Sequence, residues 1–267
     1  MKIFYGLDKV KFIPYVENMC WSFKMLRYRK KPLYAEANGE KIFCKGLFLE
    51  DSAGFTELSE HGRYSFNITE YIQNVKTFAP DLFASMDWMC EPSILQKTGL
   101  TVKEHIRRTV ENSQEIITKY PELEGRFLPV IQGWEIKEYL ECIDLYEKLG
   151  IIQPYMAIGS ICRRGSPKLI SKVIMIIKDR LPKVRLHGFG IKLSSLNYLS
   201  SNALASIDTM AWTHTETGDL TPRERVLCIY DEKSGIKIRK RASQKEIEHF
   251  ISGDHKDYRW QNLCRDL

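Results

Sequence analysis

Short runs of β-branched and aromatic residues alternate along the chain with longer stretches in which apolar residues recur every three or four positions. The short runs predict strands and the longer stretches predict amphipathic helices, an order typical of a parallel sheet with helical crossovers. The predicted strands are Lys2–Tyr5, Gly46–Glu50, Leu82–Met86, Phe127–Ile131, Tyr155–Ile158, Val184–His187, Ala205–Thr209 and Val226–Ile229. The predicted helices are Val102–Lys119, Ile136–Leu149 and Pro167–Leu181. Eight strands joined in this way predict an α/β fold, a (β/α)8 TIM barrel.

Local signals refine this prediction. Ser166 is suited to cap the last helix and Pro167 to occupy its first position. The run Glu36–Glu40 indicates a hairpin turn, and therefore a small added β element before the second predicted barrel strand. No linker, repeat or low-complexity run divides the 267 residues, so a single domain over 1–267 is expected.

The sequence also bears on the cellular location of the protein. The longest apolar run, Val173–Ile177, is far too short to span a membrane, and the first residues lack the apolar core of a signal peptide. We therefore expect a cytoplasmic protein with no membrane contact. Seven cysteines are an odd number and no two are closer than Cys142 and Cys162, which favours reduced thiols over a disulfide framework.

Polar residues follow the predicted strands where each strand ends. In a TIM barrel the active site is built at the carboxyl ends of the strands. Three carboxylates and an amide fall there, together with small residues: Asp51, Ser52, Asp87, Gln132, Gly133, Gly159, Ser160, Gly188 and Asp208. Asp and Gly are also common turn formers and helix caps, so each position alone has an ordinary structural explanation. Together they predict an active-site mouth.

Five segments resemble the motifs of the tRNA-guanine transglycosylase superfamily. Asp51–Phe55 is similar to its Asp-Ser-Gly-Gly-Phe/Tyr motif, and Met86–Pro92 to its Phe-Asp-Glu-Cys segment. Pro129–Gly133 resembles Val-Val-Gln-Gly, and Met156–Ile161 resembles Ala-Ile-Gly-Gly-Leu. Ser206–Thr209 stands where that family has its aspartate nucleophile. The resemblance extends over residues 46–212, most of a barrel.

The resemblance implies a base exchange in which an aspartate displaces guanine from C1′ and a 7-deazaguanine then takes its place. Breaking an N-glycosidic bond needs one carboxylate at C1′ and a second acid/base group, as in retaining glycosidases. We assign Asp208 as the nucleophile and Asp51 as the general acid/base. The base-binding candidates are Ser52, Phe55, Asp87, Gln132, Gly133, Gly159, Ser160 and Gly188. Phe55 and Phe189 are candidate stacking faces, although a core aromatic role fits either equally well.

Departures from that family point to a sister group. The tRNA-modifying members carry a Cys-x-Cys-x-x-Cys and His zinc site, whereas the only cysteines of this chain after the nucleophile are Cys228 and Cys264. A metal held by Cys228, His249, His255 and Cys264 would lack the paired spacing of such a site. We therefore expect neither a metal nor another cofactor. Ala53 and Ser160 stand where the family usually has Gly.

A compact barrel without zinc, with Ser206 to Trp212 as its nucleophile motif, is similar to the DNA-directed 7-deazaguanine transglycosylases, the DpdA group, and particularly to their phage-type members. This resemblance implies DNA as a partner and a 7-deazaguanine such as preQ0 as the incoming base. It also implies protection of the DNA from restriction nucleases. The target guanine would have to leave the base stack to meet the nucleophile.

The charge distribution fits a polyanionic partner. The chain has 40 Lys and Arg against 34 Asp and Glu, a net charge of +6. Residues 1–45 form a basic segment, residues 221–267 form a second one, and the catalytic motifs between them are slightly acidic. The candidate nucleic-acid contacts are Arg27, Arg29, Lys30, Arg163, Arg164, Arg239, Lys240 and Arg241. A solvated helix face or a protected edge strand explains the two terminal clusters equally well.

Three alternatives remain at this level. The same exchange could act on tRNA, although the missing zinc cluster counts against it. The chain could be a non-catalytic nucleic-acid-binding partner subunit, which the retention of Asp51 and Asp208 disfavours. A barrel enzyme acting on a small molecule would predict a Gly-rich phosphate turn, yet residues 215–225 contain only Gly218. No sequence feature indicates an oligomeric state.

Overall fold

The computed structural model describes residues 1–10, 13, 16–30, 32–37, 39–191, 193–200 and 202–209, and the backbone of 226–231, 236–241 and 258–260. Its strands are β1 Lys2–Gly6, β2 Asn18–Ser22, β3 Ala35–Ala37, β4 Glu40–Ile42, β5 Phe48–Asp51, β6 Leu82–Ala84, β7 Phe127–Leu128, β8 Val130–Ile131, β9 Tyr155–Ile158, β10 Arg185–Gly188, β11 Ser206–Thr209, β12 Val226–Asp231, β13 Ile236–Arg241 and β14 Tyr258–Trp260. Its helices are α1 Phe23–Leu26, α2 Gly54–His61, α3 Ile68–Phe78, α4 Pro92–Thr98, α5 Val102–Lys119, α6 Ile136–Lys148 and α7 Pro167–Arg180, with 3-10 turns at Pro121–Arg126 and Leu193–Tyr198.

Nine short strands form one parallel sheet, in the order β7-β6-β5-β2-β1-β11-β10-β9-β8. The strands at the two ends of this order, β7 and β8, are consecutive in the sequence and are separated only by Pro129. The Pro129 carbonyl accepts a hydrogen bond from the Ala157 N–H of β9 at 2.8 Å, so the sheet closes on itself. Counted as one interrupted strand, β7 and β8 complete a ring of eight, which confirms the predicted TIM-barrel fold.

The prediction is wrong about which segment supplies the eighth strand. Val226–Ile229, taken for a barrel strand, lies in β12, which pairs antiparallel with β13 and β14 in a separate sheet. The place in the barrel is taken by β2, which pairs in parallel with β1 and β5. The predicted hairpin does form just after it, as β3 and β4.

The predicted strand Phe127–Ile131 is split at Pro129 because proline has no N–H to donate to the ladder. The predicted helices are confirmed with ends that differ by one residue at most. Ser166 caps α7 by accepting a hydrogen bond from the Leu169 N–H at 3.3 Å. The Glu138 side chain turns back to the N–H groups of Trp134 and Glu135, at 2.9 and 2.7 Å, and so caps α6.

A small apolar cluster fills the barrel interior, and the polar residues lie at the carboxyl ends of the strands. Its buried members come from seven of the strands: Phe4, Cys20, Leu49, Ala84, Leu128, Val130 and Ala157. Larger apolar clusters lie between the barrel and the surrounding helices. None of the described helices is long and apolar enough to cross a membrane.

Candidate active site

The parallel strands open at one mouth, and the structure brings the predicted polar residues together there. Asp51 is the last residue of β5, and Asp87 follows β6 by three residues. Gln132 directly follows β8, and Asp208 is the third residue of β11. Chain elements far apart in sequence thus supply one site, as the barrel prediction required.

Asp87 is the centre of a buried hydrogen-bond network. Gln132 Nε2 donates to Asp87 Oδ2 at 2.5 Å, and the Ser52 hydroxyl donates to Oδ1 at 3.3 Å. The Tyr64 hydroxyl donates to the Asp87 backbone carbonyl at 2.8 Å. Burial, followed by the charge of Asp51, raises the pKa of Asp87 to about 7. The network holds this carboxyl in one orientation, as a binding site for N–H groups of a base requires.

Ser160 fixes the other end of the Gln132 amide. The Ser160 hydroxyl lies 2.6 Å from Gln132 Oε1 and 2.9 Å from Glu91 Oε2, and it accepts a hydrogen bond from the Cys90 N–H at 2.7 Å. A hydroxyl has one proton, so it donates to only one of the two side-chain oxygens. If it donates to Gln132, Glu91 must itself carry a proton to complete its bond to Ser160.

If the Gln132 amide were turned over, its oxygen would face Asp87 and its nitrogen would face Ser160. Asp87 would then have to carry the proton, because it would be the donor to that oxygen. The network therefore holds one proton between Asp87 and Glu91. Burial raises the pKa of Glu91, which is only 2% exposed, as it raises the pKa of Asp87, so the two carboxyls compete for this proton. Sequence reasoning missed Glu91 as a site residue. The available signal was its place beside Cys90 in a segment already compared with a family motif.

Asp51 and Asp208 are the two predicted catalytic carboxylates. Asp51 Oδ2 accepts a hydrogen bond from the Ala53 N–H at 3.1 Å. Burial and then the charge of Asp208 raise the pKa of Asp51 to about 6. Cys20 of β2 experiences both charges: burial, then Asp208 and Asp51, raise its thiol pKa, so it is a neutral neighbour of the pair. A carboxyl that titrates near neutrality beside an anionic one is suited to acid/base work.

Asp208 is held by the segment after β10. Its Oδ1 accepts a hydrogen bond from the Gly190 N–H at 2.7 Å and lies 3.3 Å from His187 Nε2. His187 is fully buried, whereas the side chain of Asp208 is 13% exposed. Sequence reasoning did not give His187 a role, since a single histidine near a strand end has no distinguishing spacing.

Two of the predicted glycines are required by close approach. A Cβ on Gly159 would collide with the Gln132 amide, and one on Gly133 would lie 2.6 Å from the Tyr139 backbone nitrogen. A Cβ on Gly188 would make only ordinary contacts of 3.4 Å or more. Gly159 thus acts by leaving room for Gln132, while at Gly188 the structure shows no steric need for glycine.

The aromatic candidates lie near the same loops. The Arg163 guanidinium, which is exposed, sits 4.1 Å from the centre of the half-buried Phe55 ring. Phe189 packs edge-on against His187 with ring centres 4.7 Å apart. Arg164 differs from its neighbour: it is 4% exposed, and its guanidinium donates to the carbonyls of Ser160 and Trp134. The structure therefore gives Arg164 the role of holding this loop.

The remaining basic candidates have no contact with the Asp87 network where the structure describes them. Arg27 is bonded to Glu70 Oε1 at 2.6 Å and to the Ser65 hydroxyl at 2.9 Å. Arg29 lies beside the Trp21 ring, and Lys30 is exposed. Arg239, Lys240 and Arg241 belong to β13, whose side chains are outside the described part of the structure, as are those of Cys228, His249, His255 and Cys264.

One comparison with known proteins found a match. The model of the DpdA family, described as DeoxyPurine in DNA protein A, matches residues 44–263. This match covers every barrel strand from β5 onward and, among the residues described above, Asp51, Asp87, Gln132, Ser160 and Asp208. The curated proteins gave no match. The chain therefore belongs to the DpdA family, whose function in general terms is 7-deazaguanine transglycosylation of DNA.

Proposed function

We propose that this protein replaces guanine in DNA with a 7-deazaguanine through a covalent intermediate on Asp208. The observation that supports it most directly is the placement of two carboxyls with distinct surroundings at one mouth. Asp51 is half-buried, and its surroundings raise its pKa to about 6, while Asp208 is held through Oδ1. Paired carboxyls that differ in this way can divide the roles of acid/base and nucleophile.

The exchange balances in two steps. An Asp208 oxygen forms a bond to C1′ as the bond from C1′ to guanine N9 breaks. The electron pair of that bond stays on the guanine, which takes a proton from Asp51. In the second step the incoming 7-deazaguanine returns a proton from N9 to Asp51, and N9 attacks C1′ and releases Asp208. The strand is not cut, because only the bond to the base is exchanged.

Base recognition falls to the Asp87 network. Guanine and 7-deazaguanine share a pyrimidine edge with an N1–H and an exocyclic amine, and both groups donate hydrogen bonds. Asp87 can accept from both groups, one on each oxygen, only as a carboxylate. Of the two proton placements that the network allows, the productive one therefore has Asp87 ionised and Glu91 protonated. Phe55 provides a candidate face on which the flipped base stacks.

PreQ0 as the incoming base, and protection of the DNA from restriction nucleases, are the finer parts of this proposal. They rest on the resemblance of the motifs to the DNA-directed group. The nucleoside products of digested DNA identify the inserted base. Cleavage of the modified DNA by a restriction enzyme that cuts at guanine-containing sites then measures protection.

The proposal is tested by incubating the protein with labelled preQ0 and either duplex DNA or tRNA, followed by digestion to nucleosides. We expect label in a deoxynucleoside and release of one guanine for each base inserted. Label in tRNA alone would show that the substrate is RNA and not DNA. Transfer to neither polymer would contradict the enzymatic assignment.

A further inference from the structure

A chain of hydrogen-bonding side chains runs from the lower end of the barrel to Asp208. The Tyr155 hydroxyl lies 2.5 Å from Ser206 Oγ, and Ser206 Oγ lies 2.5 Å from His187 Nδ1. On the other side of the ring, His187 Nε2 lies 3.3 Å from Asp208 Oδ1. Asp208 is proposed above as the nucleophile, whereas the other three have no part in the proposed reaction.

The strand pairing explains why these side chains meet. His187 of β10 is the register partner of Ser206 of β11, and β10 pairs on its other side with β9, which begins at Tyr155. Alternate residues of a strand point the same way, so Ser206 and Asp208 share one side of β11. Tyr155 packs against the apolar cluster inside the barrel. This series of hydrogen-bonded side chains therefore runs through the barrel interior to the mouth.

When Asp208 is ionised and the His187 ring carries one proton, the donors and acceptors in this series of side chains have a single consistent order. A carboxylate only accepts, so the proton that bonds it must be on His187 Nε2. Nδ1 of the neutral ring then accepts from the Ser206 hydroxyl, and the Ser206 oxygen accepts from Tyr155. Burial raises the pKa of Tyr155, which keeps its phenol protonated as this order requires.

The His187 ring is enclosed by aromatic and hydrogen-bonding neighbours. The imidazole is fully buried, and its aromatic neighbours are Phe4, with ring centres 5.9 Å apart and edge-on, and Phe189. The hydrogen-bonding groups that face the ring are Ser206 and Asp208. A neutral donor holds the Asp208 carboxylate without neutralising its charge, which a nucleophile needs.

We propose that Tyr155 and Ser206 fix the tautomer of His187, and that His187 with the Gly190 N–H holds Oδ1 of Asp208 so that Oδ2 faces C1′. The three side chains are positioning residues, since none of them reaches the reacting atoms. The proposal rests on the proposed function for its kinetic consequence. The tautomer itself is a property of the protein without substrate. Fixing a histidine tautomer through a hydrogen bond to its second nitrogen is a general device at catalytic sites.

The tautomer is measured by ¹H–¹⁵N correlation of the histidine rings in the protein without substrate. His105 is a built-in control with the opposite arrangement: its Nδ1 lies 2.6 Å from the Met89 carbonyl and its Nε2 lies 2.8 Å from Thr98 Oγ1. We expect a neutral Nε2–H ring for His187 and a neutral Nδ1–H ring for His105. An Nδ1–H or doubly protonated His187 at neutral pH would overturn the proposal.

Ser206→Ala tests the kinetic role. It should shift the His187 ring signals, leave those of His105 in place, and lower kcat for exchange about 10- to 100-fold with little change in KM for the incoming base. Ser206→Thr restores the hydroxyl and should restore most of kcat. Ser113→Ala is the matched control, because Ser113 is also buried and lies 2.9 Å from a tyrosine hydroxyl, that of Tyr146 on α6. It should leave kcat unchanged.

The outcomes separate this inference from the proposed function. If the wild type exchanges bases and Ser206→Ala has the same kcat, the positioning role is wrong although the function stands. If the wild type transfers no label to either polymer, the proposed function fails. In that case the histidine ring signals alone decide whether the tautomer assignment is right.

Discussion

Ser160 and Ala53 adopt a backbone conformation that disfavours residues other than glycine, with φ of 52° and 64°. Each such residue costs roughly 1 kcal/mol. The resemblance to the transglycosylase superfamily places both where glycine is usual. At Ser160 the hydroxyl compensates by bonding Gln132 and the Cys90 N–H. At Ala53 the same conformation aims the backbone N–H at Asp51. The strained residues therefore lie beside Asp51 and beside the Gln132 amide that bonds Asp87.

Asp87 is expected to lower the stability of the protein as pH rises. Its pKa is raised from 3.8 in the unfolded chain to about 7 by burial and by Asp51. The folded state thus favours the protonated form, and this contribution is present below about pH 4 and is lost as pH rises toward 7. Asp87→Asn should therefore raise the unfolding free energy relative to wild type by a few kcal/mol at pH 8 and by much less at pH 4.

Urea unfolding of both proteins at the two pH values provides the measurement. The same variant should lose base exchange, because an amide cannot accept both N–H groups of guanine. A stability difference that is equal at both pH values would contradict the raised pKa. A variant that is more stable and inactive would show that binding the base, rather than folding, is what requires this buried carboxyl.

At the scale of elements, the sequence was most informative where periodicity extends over many residues. The helices α5, α6 and α7 follow from apolar spacing and caps, and their ends agree to within one residue. The strands are only two to six residues long, so composition alone could not separate a barrel strand from any other. Val226–Ile229 is apolar and β-branched like the barrel strands, yet it pairs antiparallel within another sheet.

The strand β2 was missed for a related reason. Its sequence Asn18–Ser22 places Cys20 inside the barrel and Trp21 on the outer side, both buried, so it lacks the alternation of polar and apolar residues that marks a strand. Only the pairing with β1 and β5 identifies it.

Motif order along the sequence predicts a shared site for Asp51, Asp87, Gln132, Ser160 and Asp208, and the structure places these residues at one mouth. Glu91 and His187 were not predicted, because their roles depend on distances across the barrel. The sequence shows the order in which the strand ends follow one another. It does not show which buried groups face one another across the barrel.

At the scale of the whole molecule, charge is divided between an acidic mouth and cations outside it. Asp51, Asp87 and Asp208 lie at the mouth, while Arg163 is exposed on the adjacent loop beside Phe55. A DNA strand that delivers a flipped base to this mouth carries its phosphates past the rim. Arg163 is therefore better placed to meet a phosphate than the buried Arg164.

Arg163→Ala should weaken DNA binding and reduce the slope of log Kd against log salt concentration by about 0.9, the value for one phosphate contact on duplex DNA. Arg107→Ala is the control. Arg107 is exposed on α5 and paired with Glu104 at 2.7 Å, on a helix outside the mouth. Binding measured by fluorescence anisotropy over a range of salt should be unchanged for that variant. Equal effects of the two substitutions would mean that general surface charge, and not Arg163, accounts for binding.

The covalent bond between Asp208 and deoxyribose is the central claim, and it can be observed directly. The protein is mixed with duplex DNA in the absence of an incoming base, quenched in denaturant and digested, and the DNA-linked peptide is sequenced by mass spectrometry. The account predicts one linked peptide with the bond on Asp208, released guanine in equal amount, and no adduct with Asp208→Asn. A bond on any other residue, or base exchange that persists in Asp208→Asn, would contradict it.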